Sequence, residues 1–526
     1  MEESPDRGLD LVRVGDGRSA GRSVVADVAT SYDLLPYSSK PYALTHPDNL
    51  AMVAGLAGLG PPSLERCRVL ELGCGAGGNL IPMAMSLPGA TFVGVDLSPR
   101  QIADARSLAD ALQLTNVEFW TLDIVDVDES FGLFDFIICH GVFSWVPPNV
   151  QEAILRLCRR NLRDNGVALV SYNVYPGWHL KGLVREILRQ RVRASDEPQD
   201  QVRQARSILE RTGRRLTNRR DPYGRLLSDR VALAAAGSDT YLFHEYLEDV
   251  NQPMYLREFV ERATAHKLQY LGDAKLRGAT QDTSDRVEHE QHVDLLVDRS
   301  FRRSLLCHAD IRLEPAVGVA SLLACHATAR ARPVSNAPDV ASEHSEGFRT
   351  PAGEVWSTSN RLDKALLAVL ADAHPAALSF TRLVGRVGLL VGVDPSPDEL
   401  GMSLRRCWAA ELVDLHLHPP KLPEQIAERP TASRLARIQA QTSSEVTNLR
   451  HHSVQLDPAA RAMLSFLDGA HDRAAVAAEL SVLARTDPLA NDDDGRRAGS
   501  DRWRDDIDGS LERMVRFLQR SALLVS

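Results

Sequence analysis

The sequence predicts an α/β chain in three parts: a Rossmann-like, doubly wound sheet unit, a mainly helical middle, and a C-terminal α+β region of winged-helix character. Three observations predict it. Between residues 67 and 172, short apolar runs alternate with stretches of helical periodicity. That is the βαβ rhythm of a parallel sheet with right-handed crossovers. Strand patterns then stop, and residues 181–329 carry mostly helical periodicity. Beyond residue 354 two stretches echo one another: Leu366 through His374 with Met463 through His471, and Ser403 through Val413 with Ser510 through Val525. The echo reads as two units of helices, each closed by a short strand.

In chain order, residues 1–22 are polar and predict a disordered tail. Residues 23–180 hold the sheet unit, with strands predicted over 67–72, 91–96, 117–120, 134–139 and 166–172 and helices over 98–112 and 150–161. The segment Pro36-Tyr37 through His46 precedes them, and its X-Pro steps favour extended backbone. Residues 181–329 form the helical middle, within which 301–308 reads as one helix. Residues 330–354 are rich in Pro, Ser, Ala and Gly and predict a linker. Residues 355–526 hold the winged-helix-like repeat, and Asn491-Asp492-Asp493-Asp494-Gly495 marks a disordered insertion over 484–502.

Composition narrows the function. Charged residues are 25% and hydrophobic residues 44% of 526, ordinary for a globular protein. The net charge of -9 argues against a chain that coats nucleic acid. No apolar run approaches the ~18 residues of a membrane span, so no membrane insertion is expected. The acidic start, Met1-Glu2-Glu3-Ser4-Pro5-Asp6, lacks the apolar core of a signal peptide. Seven scattered cysteines with no C-x-x-C point to reduced thiols in a cytoplasm.

The most informative stretch is Val69-Leu70-Glu71-Leu72-Gly73-Cys74-Gly75-Ala76-Gly77-Gly78-Asn79-Leu80. Gly73, Gly75 and Gly78 fit the dinucleotide pattern G-x-G-x-x-G; Gly73, Gly75 and Gly77 fit E-x-G-x-G-x-G, the loop of S-adenosylmethionine enzymes. Charge separates the two. A pyrophosphate is repelled by Glu71, whereas S-adenosylmethionine carries an ammonium and a sulfonium that a carboxylate stabilises. The loop therefore predicts S-adenosylmethionine as cofactor, with Glu71 and Asn79 among its contacts, and predicts that nicotinamide dinucleotides do not bind.

Two acids extend the site. Asp96 ends the second strand, where a carboxylate takes ribose hydroxyls, and Leu97 beside it faces the adenine. Asp123, next to Ile124 after the third strand, stands where an acceptor for the adenine amino group is expected. Either acid alone also reads as a helix cap or turn former. The fourth strand runs into Cys139-His140-Gly141-Val142-Phe143-Ser144-Trp145, at the strand ends where ligands of open α/β sheets bind. His140 reads as a group orienting cofactor or substrate, or as a hydrogen-bonded loop histidine. Phe143 and Trp145 read as a wall over the cofactor, or as packing. The Asn-Pro-Pro-Tyr pattern of methylation at DNA amino groups is absent.

These and further segments resemble the protein lysine methyltransferases of rickettsiae, which act on outer-membrane protein B, and their bacterial relatives with a methyltransferase regulatory domain. The matching strings are Tyr32 through Pro47, the glycine loop with Asn79-Leu80-Ile81-Pro82-Met83-Ala84, and His140 through Pro147. Further along come Ser171-Tyr172-Asn173-Val174-Tyr175-Pro176-Gly177-Trp178-His179, Tyr241 through Glu248, and Phe301 through His308. The resemblance implies a protein substrate methylated on lysine, and a lid over the cofactor, or a packed arm, from Pro36-Tyr37 through His46. It also implies a homodimer formed through the middle region. The family usually has Asp where this loop has Ala76.

A lysine acceptor must lose a proton, which at pH 7 costs about 4–5 kcal/mol from a free pKa of ~10.4. A desolvating aromatic channel lowers that cost, and phenol oxygens orient the amine. Tyr37 and Tyr175 are the predicted amine-orienting groups, with His140 beside them; Tyr42, Tyr172 and Trp178 are also available, core packing being their other reading. Cys307-His308 and Cys325-His326 have no usual zinc spacing, so no metal is predicted. The arginines from Arg185 to Arg230 read as a solvated helix face, a docking site for an acidic partner, or a dimer contact. Two other functions stay open: a small-molecule methyltransferase, and a cofactor-binding interaction module. Since every cofactor candidate lies in the sheet unit and its N-terminal arm, the helical middle and the C-terminal third are expected to serve substrate choice and not cofactor binding, and a chain ending near Ala331 to keep its cofactor but lose most transfer to its protein target.

Overall fold

Helix α1 (Pro47–Leu56) leads into the alternation of β1 (Arg68–Leu72), α2 (Leu80–Ser86), β2 (Thr91–Asp96), α3 (Pro99–Leu112), β3 (Val117–Thr121), β4 (Phe134–Cys139), α4 (Pro148–Asn161) and β5 (Leu162–Asn173). The structure is a computed structural model and describes residues 34–36, 39–195, 197–275, 286–313, 322–423, 425–486 and 507–526. The predicted tail over 1–22 lies outside these residues, as does most of the predicted insertion. Local chemistry sets the boundaries. Ser98 caps α3 by accepting from Gln101 N–H, with Pro99 at its first turn, and left-handed Gln113 ends it.

The middle supplies α5 (Gly177–Arg189), α6 (Pro198–Leu216), α7 (Pro222–Ala235), α8 (Asp239–Tyr246) and α9 (Leu256–Ala265), then β6 (Leu268–Asp273), α10 (Arg286–Leu296) and β7 (Phe301–His308). Helices α5 to α8 share a core around Leu188, Ala205, Leu209, Ala234 and Leu242. The sheet runs β3-β2-β1-β4-β5-β7-β6, with β7 antiparallel to both β5 and β6. Residues 301–308 are thus a strand, not the expected helix. Leu305, Leu306 and Cys307 are fully buried between two neighbouring strands, and a run this short fits either period. Strand alternation sends Arg302 to one face, where its guanidinium grips Asp294 at 2.7 and 2.8 Å and Glu290 at 2.8 Å. Arg303 goes to the other face.

The C-terminal third begins with β8 (His326–Ala329), β9 (Arg332–Pro333), β10 (Glu346–Arg349) and β11 (Val355–Thr358). Strands β9 to β11 form an antiparallel sheet, so much of the expected linker is folded. Phe348 is fully buried there, and the buried Lys364 ammonium donates to the carbonyls of Ser342 and His344 at 2.7 and 2.9 Å. Helices α11 (Arg361–Ala373), α12 (Phe380–Val391) and α13 (Pro397–Ala409), with β12 (Leu378–Ser379) and β13 (Val413–His416), complete the first winged unit around β8. The second holds α14 (Arg434–Gln439), β14 (Glu445–Thr447), β15 (Ser453–Gln455), α15 (Pro458–Phe466), α16 (Arg473–Thr486) and α17 (Ile507–Arg520), and closes through a bridge between Ala432 and Leu524. Leu435 of this unit belongs to the core under the main sheet.

Candidate active site

The parallel strands β1, β2, β4 and β5 end together at one edge of the sheet, where the crevice of an open α/β sheet is expected. Gly73, Gly75 and Gly77 have φ of +71°, +53° and +74°, left-handed conformations that keep the loop tight against β1. A Cβ on Gly73 would lie 2.4 Å from Val142 Cγ2. Asp96 fastens the loop from β2: its Oδ2 accepts from Gly75 N–H at 2.8 Å and its Oδ1 from Ser98 N–H at 2.9 Å. The carboxylate therefore stands at the loop. Leu97 is exposed beside it. Asp123 caps the turn Ile124–Asp126, accepting from Val125 N–H at 3.1 Å, and both it and Ile124 are half-buried at the end of β3.

Glu71 is buried under the loop. Its Oε1 accepts from Asn79 Nδ2 at 2.6 Å, while its Oε2 has no hydrogen-bond partner among the described residues. Burial pushes its carboxyl up to about 8, the Asn79 bond opposes the shift, and Asp96 adds to it. Asn79 is held from both sides. Its Oδ1 accepts from Tyr42 N–H at 2.9 Å and from His451 Nε2 at 2.8 Å; its Nδ2 also donates to Thr45 Oγ1 at 2.9 Å. Ser39 Oγ accepts from Gly78 N–H at 2.8 Å, and a Cβ on Gly78 would strike Ser39 O. The arm from Ser39 to His46 thus lies directly on the glycine loop. Tyr37, the first of the predicted amine-orienting groups, lies outside the described residues.

His140 stands at the end of β4, where Ser171 Oγ accepts from Gly141 N–H at 2.7 Å and fixes the turn. Its Nδ1 is buried without a partner among the described residues. Burial, with the nearby Arg303 charge, holds the imidazole down to about 3, so it is neutral at pH 7. Tyr42 packs edge-on to it at 4.3 Å between ring centroids, and Phe301 at 5.9 Å. Burial and Glu71 raise the Tyr42 phenol, which stays protonated. Arg303 lies over the Phe301 ring at 4.9 Å and makes no ion pair among the described residues. Sequence reasoning did not single out Arg303; the only signal was two adjacent arginines in an apolar run.

Phe143 does not wall the crevice. It is fully buried on the opposite side of the sheet, edge-on to Phe259 at 5.6 Å, because the 3-10 turn Phe143–Trp145 points it inward. Tyr172 is likewise core, stacked on Phe259 at 4.1 Å with its hydroxyl 2.9 Å from Ser304 Oγ. Tyr175 is half-buried just past β5, stacked on His179 at 4.1 Å and 5.4 Å from Tyr255. Trp178 is buried with its Nε1 unpartnered among the described residues, and Lys181 Nζ lies 5.1 Å from its ring.

The C-terminal third reaches this site, contrary to expectation. His451 touches Asn79, Lys40 pairs with Glu445 at 2.6 Å, and Asp48 at the start of α1 accepts from Leu417 and His418 N–H at 2.7 Å and bonds His416 at 2.8 Å. A chain ending near Ala331 would also strip β8 of its partner β13. The chemistry fits S-adenosylmethionine. An orphaned, buried carboxyl oxygen calls for a cation or donor.

Comparison with known proteins agrees. A methyltransferase domain model matches residues 70–168, a predicted methyltransferase regulatory domain residues 238–308, and the C-terminal winged helix domain of PKMT residues 428–523. An uncharacterized protein of Rickettsia prowazekii (strain Madrid E) is 31% identical over 528 residues, covering 96% of this chain and 95% of its own. A second from the same organism is 37% identical over 233 residues, 44% of this chain and 93% of its own. The solved structure of PKMT2 from Rickettsia typhi in complex with AdoHcy is 28% identical, with a TM-score of 0.82, covering 93% of this chain and 100% of that one.

Proposed function

The chain belongs to the S-adenosylmethionine-dependent methyltransferases that join a methyltransferase domain to a regulatory domain and a C-terminal winged-helix domain, and on that premise we propose that its acceptor is the lysine amine of a protein. The observation that carries this reading is the likeness to PKMT2, which extends over nearly the whole chain and includes the winged-helix domain.

When bound, the cofactor supplies an electrophilic methyl carbon. The chain's residues bind, orient and desolvate. Glu71 faces the methionyl ammonium, Asp96 takes ribose hydroxyls, Leu97 and Ile124 border the adenine, and Asp123 accepts from its amino group. Gly73, Gly75 and Gly77 give the backbone its close approach. His140, neutral with a free buried Nδ1, accepts a hydrogen bond at the methyl end of the crevice. With its imidazole held near 3 it does not take up the lysine proton. That proton leaves to water before the amine enters, and Tyr175, with Tyr37 from the arm, orients the lone pair. Seven cysteines that are free and buried support a reducing, cytoplasmic setting. Among the described residues no helix is long and apolar enough to cross a membrane. Pairing of two copies through the middle region belongs to the same proposal.

The test is incubation of the purified chain with methyl-labelled S-adenosylmethionine and lysate from a strain lacking it. Label in protein bands is expected. Label confined to a small extractable product would make the chain a small-molecule methyltransferase instead.

A further inference from the structure

The turn between β14 and β15 carries His451 across 372 residues of sequence to the glycine loop. This turn is built to hold its shape. Asn448 Oδ1 accepts from the N–H groups of Arg450 and His452, both at 2.9 Å, and Asn448 Nδ2 donates to Ser521 O at 2.9 Å. Leu449 N–H donates to Ala522 O, also at 2.9 Å. His451 takes the left-handed φ of +60° and is buried, with the His46 ring 5.2 Å away. A side chain pinned this way is an extension of the loop it touches, not a surface contact.

We propose that the second winged unit is part of the cofactor site, with His451 as a positioning residue that sets the Asn79 amide against Glu71. The Asn79 amide is held in one orientation: its oxygen accepts from Tyr42 N–H and His451, with Thr45 Oγ1 at 3.2 Å, and its nitrogen donates to Glu71 and Thr45. A flipped amide would turn NH2 against the Tyr42 N–H, a backbone donor that cannot reverse its role. Of the titratable side chains facing Glu71, Asp96 opposes its ionisation, while Tyr42, Cys74 and Cys139, all raised by burial, are uncharged where it titrates. Asn79 is the opposing donor, and burial keeps His451 neutral, so it acts through the amide and not as a charge. The inference rests on Glu71 and Asn79 serving the cofactor. By linkage, cofactor and winged unit then stabilise one another.

Calorimetric binding of S-adenosylhomocysteine to full-length variants tests it. His451→Leu, which keeps volume and removes the donor, is expected to weaken binding about tenfold and to move the pH midpoint of affinity upward, because Glu71 loses an oriented donor. His451→Gln, which keeps a donor, is expected to restore most of both. Glu71→Gln is the control for the underlying reading: unchanged affinity there would remove Glu71 from the site. Weakened binding in Glu71→Gln with normal affinity and midpoint in His451→Leu would overturn the positioning role alone. If His451→Leu does not fold, hydrogen exchange on the wild-type chain decides. Added S-adenosylhomocysteine is expected to protect residues 445–455 along with 71–81, and protection of the loop alone would overturn the proposal.

Discussion

Asp96 carries two backbone bonds on its carboxylate and is proposed to accept ribose hydroxyls as well. Charge-assisted bonds of this kind contribute about 1.5–3 kcal/mol each. Asp96→Ala should therefore weaken S-adenosylhomocysteine binding at least about tenfold by calorimetry. Glu71 gives a sharper signature. Its carboxyl is raised from 4.5 to about 8, so it is mostly protonated at pH 7 in the free protein. Its contribution to stability is fully present below pH 4.5 and is lost as pH rises through about 8. A cationic ligand favours the ionised form, so binding at pH 7 should release close to one proton. Affinity should rise with pH and level off above about 8. Titrations in two buffers of different ionisation enthalpy measure the proton count, and Glu71→Gln should reduce it to near zero.

Strands β1 to β4 were legible as short, largely apolar runs closed by Gly73, Asp96, Leu122-Asp123 and His140-Gly141, and Asp96 and Asp123 were legible by their place at those ends. Strand β7 was not, because its apolar run fits a helix as well as a strand, and only the docking of α10 explains arginine there. Arg302 is 2% exposed and Asp294 fully buried, each satisfied by the other. Arg302→Met leaves the buried Asp294 with Arg299 alone and Glu290 with Tyr270 and Arg286, and should cost toward the lower end of about 3–5 kcal/mol. Chemical denaturation with intact Arg302 as reference checks it. The sheet β9 to β11 was hidden by loop-like composition, since burial of Phe348 and Lys364 is decided by α11 and not by their neighbours in sequence. Phe143 was misplaced because an aromatic in a strand-end turn can point to either face, and the turn geometry that decides is not written in residue type.

At the scale of the whole molecule, the matched regulatory segment, residues 238–308, supplies two strands of the central sheet, and the second winged unit supplies Leu435 to its core. His451 was invisible in the sequence because its contact with Asn79 exists only after these parts dock. A chain ending at Pro423 should accordingly lose at least about tenfold in cofactor affinity, measured by calorimetry alongside a melting curve. Retained affinity would return the C-terminal unit to substrate choice alone. Nicotinamide dinucleotides should give no thermal shift above pH about 8, where Glu71 is ionised and opposes a pyrophosphate. The most direct measurement is made on labelled protein recovered after incubation with methyl-labelled S-adenosylmethionine, hydrolysed to free amino acids and separated. Label is predicted to travel with methylated lysine. Label on another amino acid, or released as volatile methanol from a carboxyl ester, would contradict lysine as the acceptor.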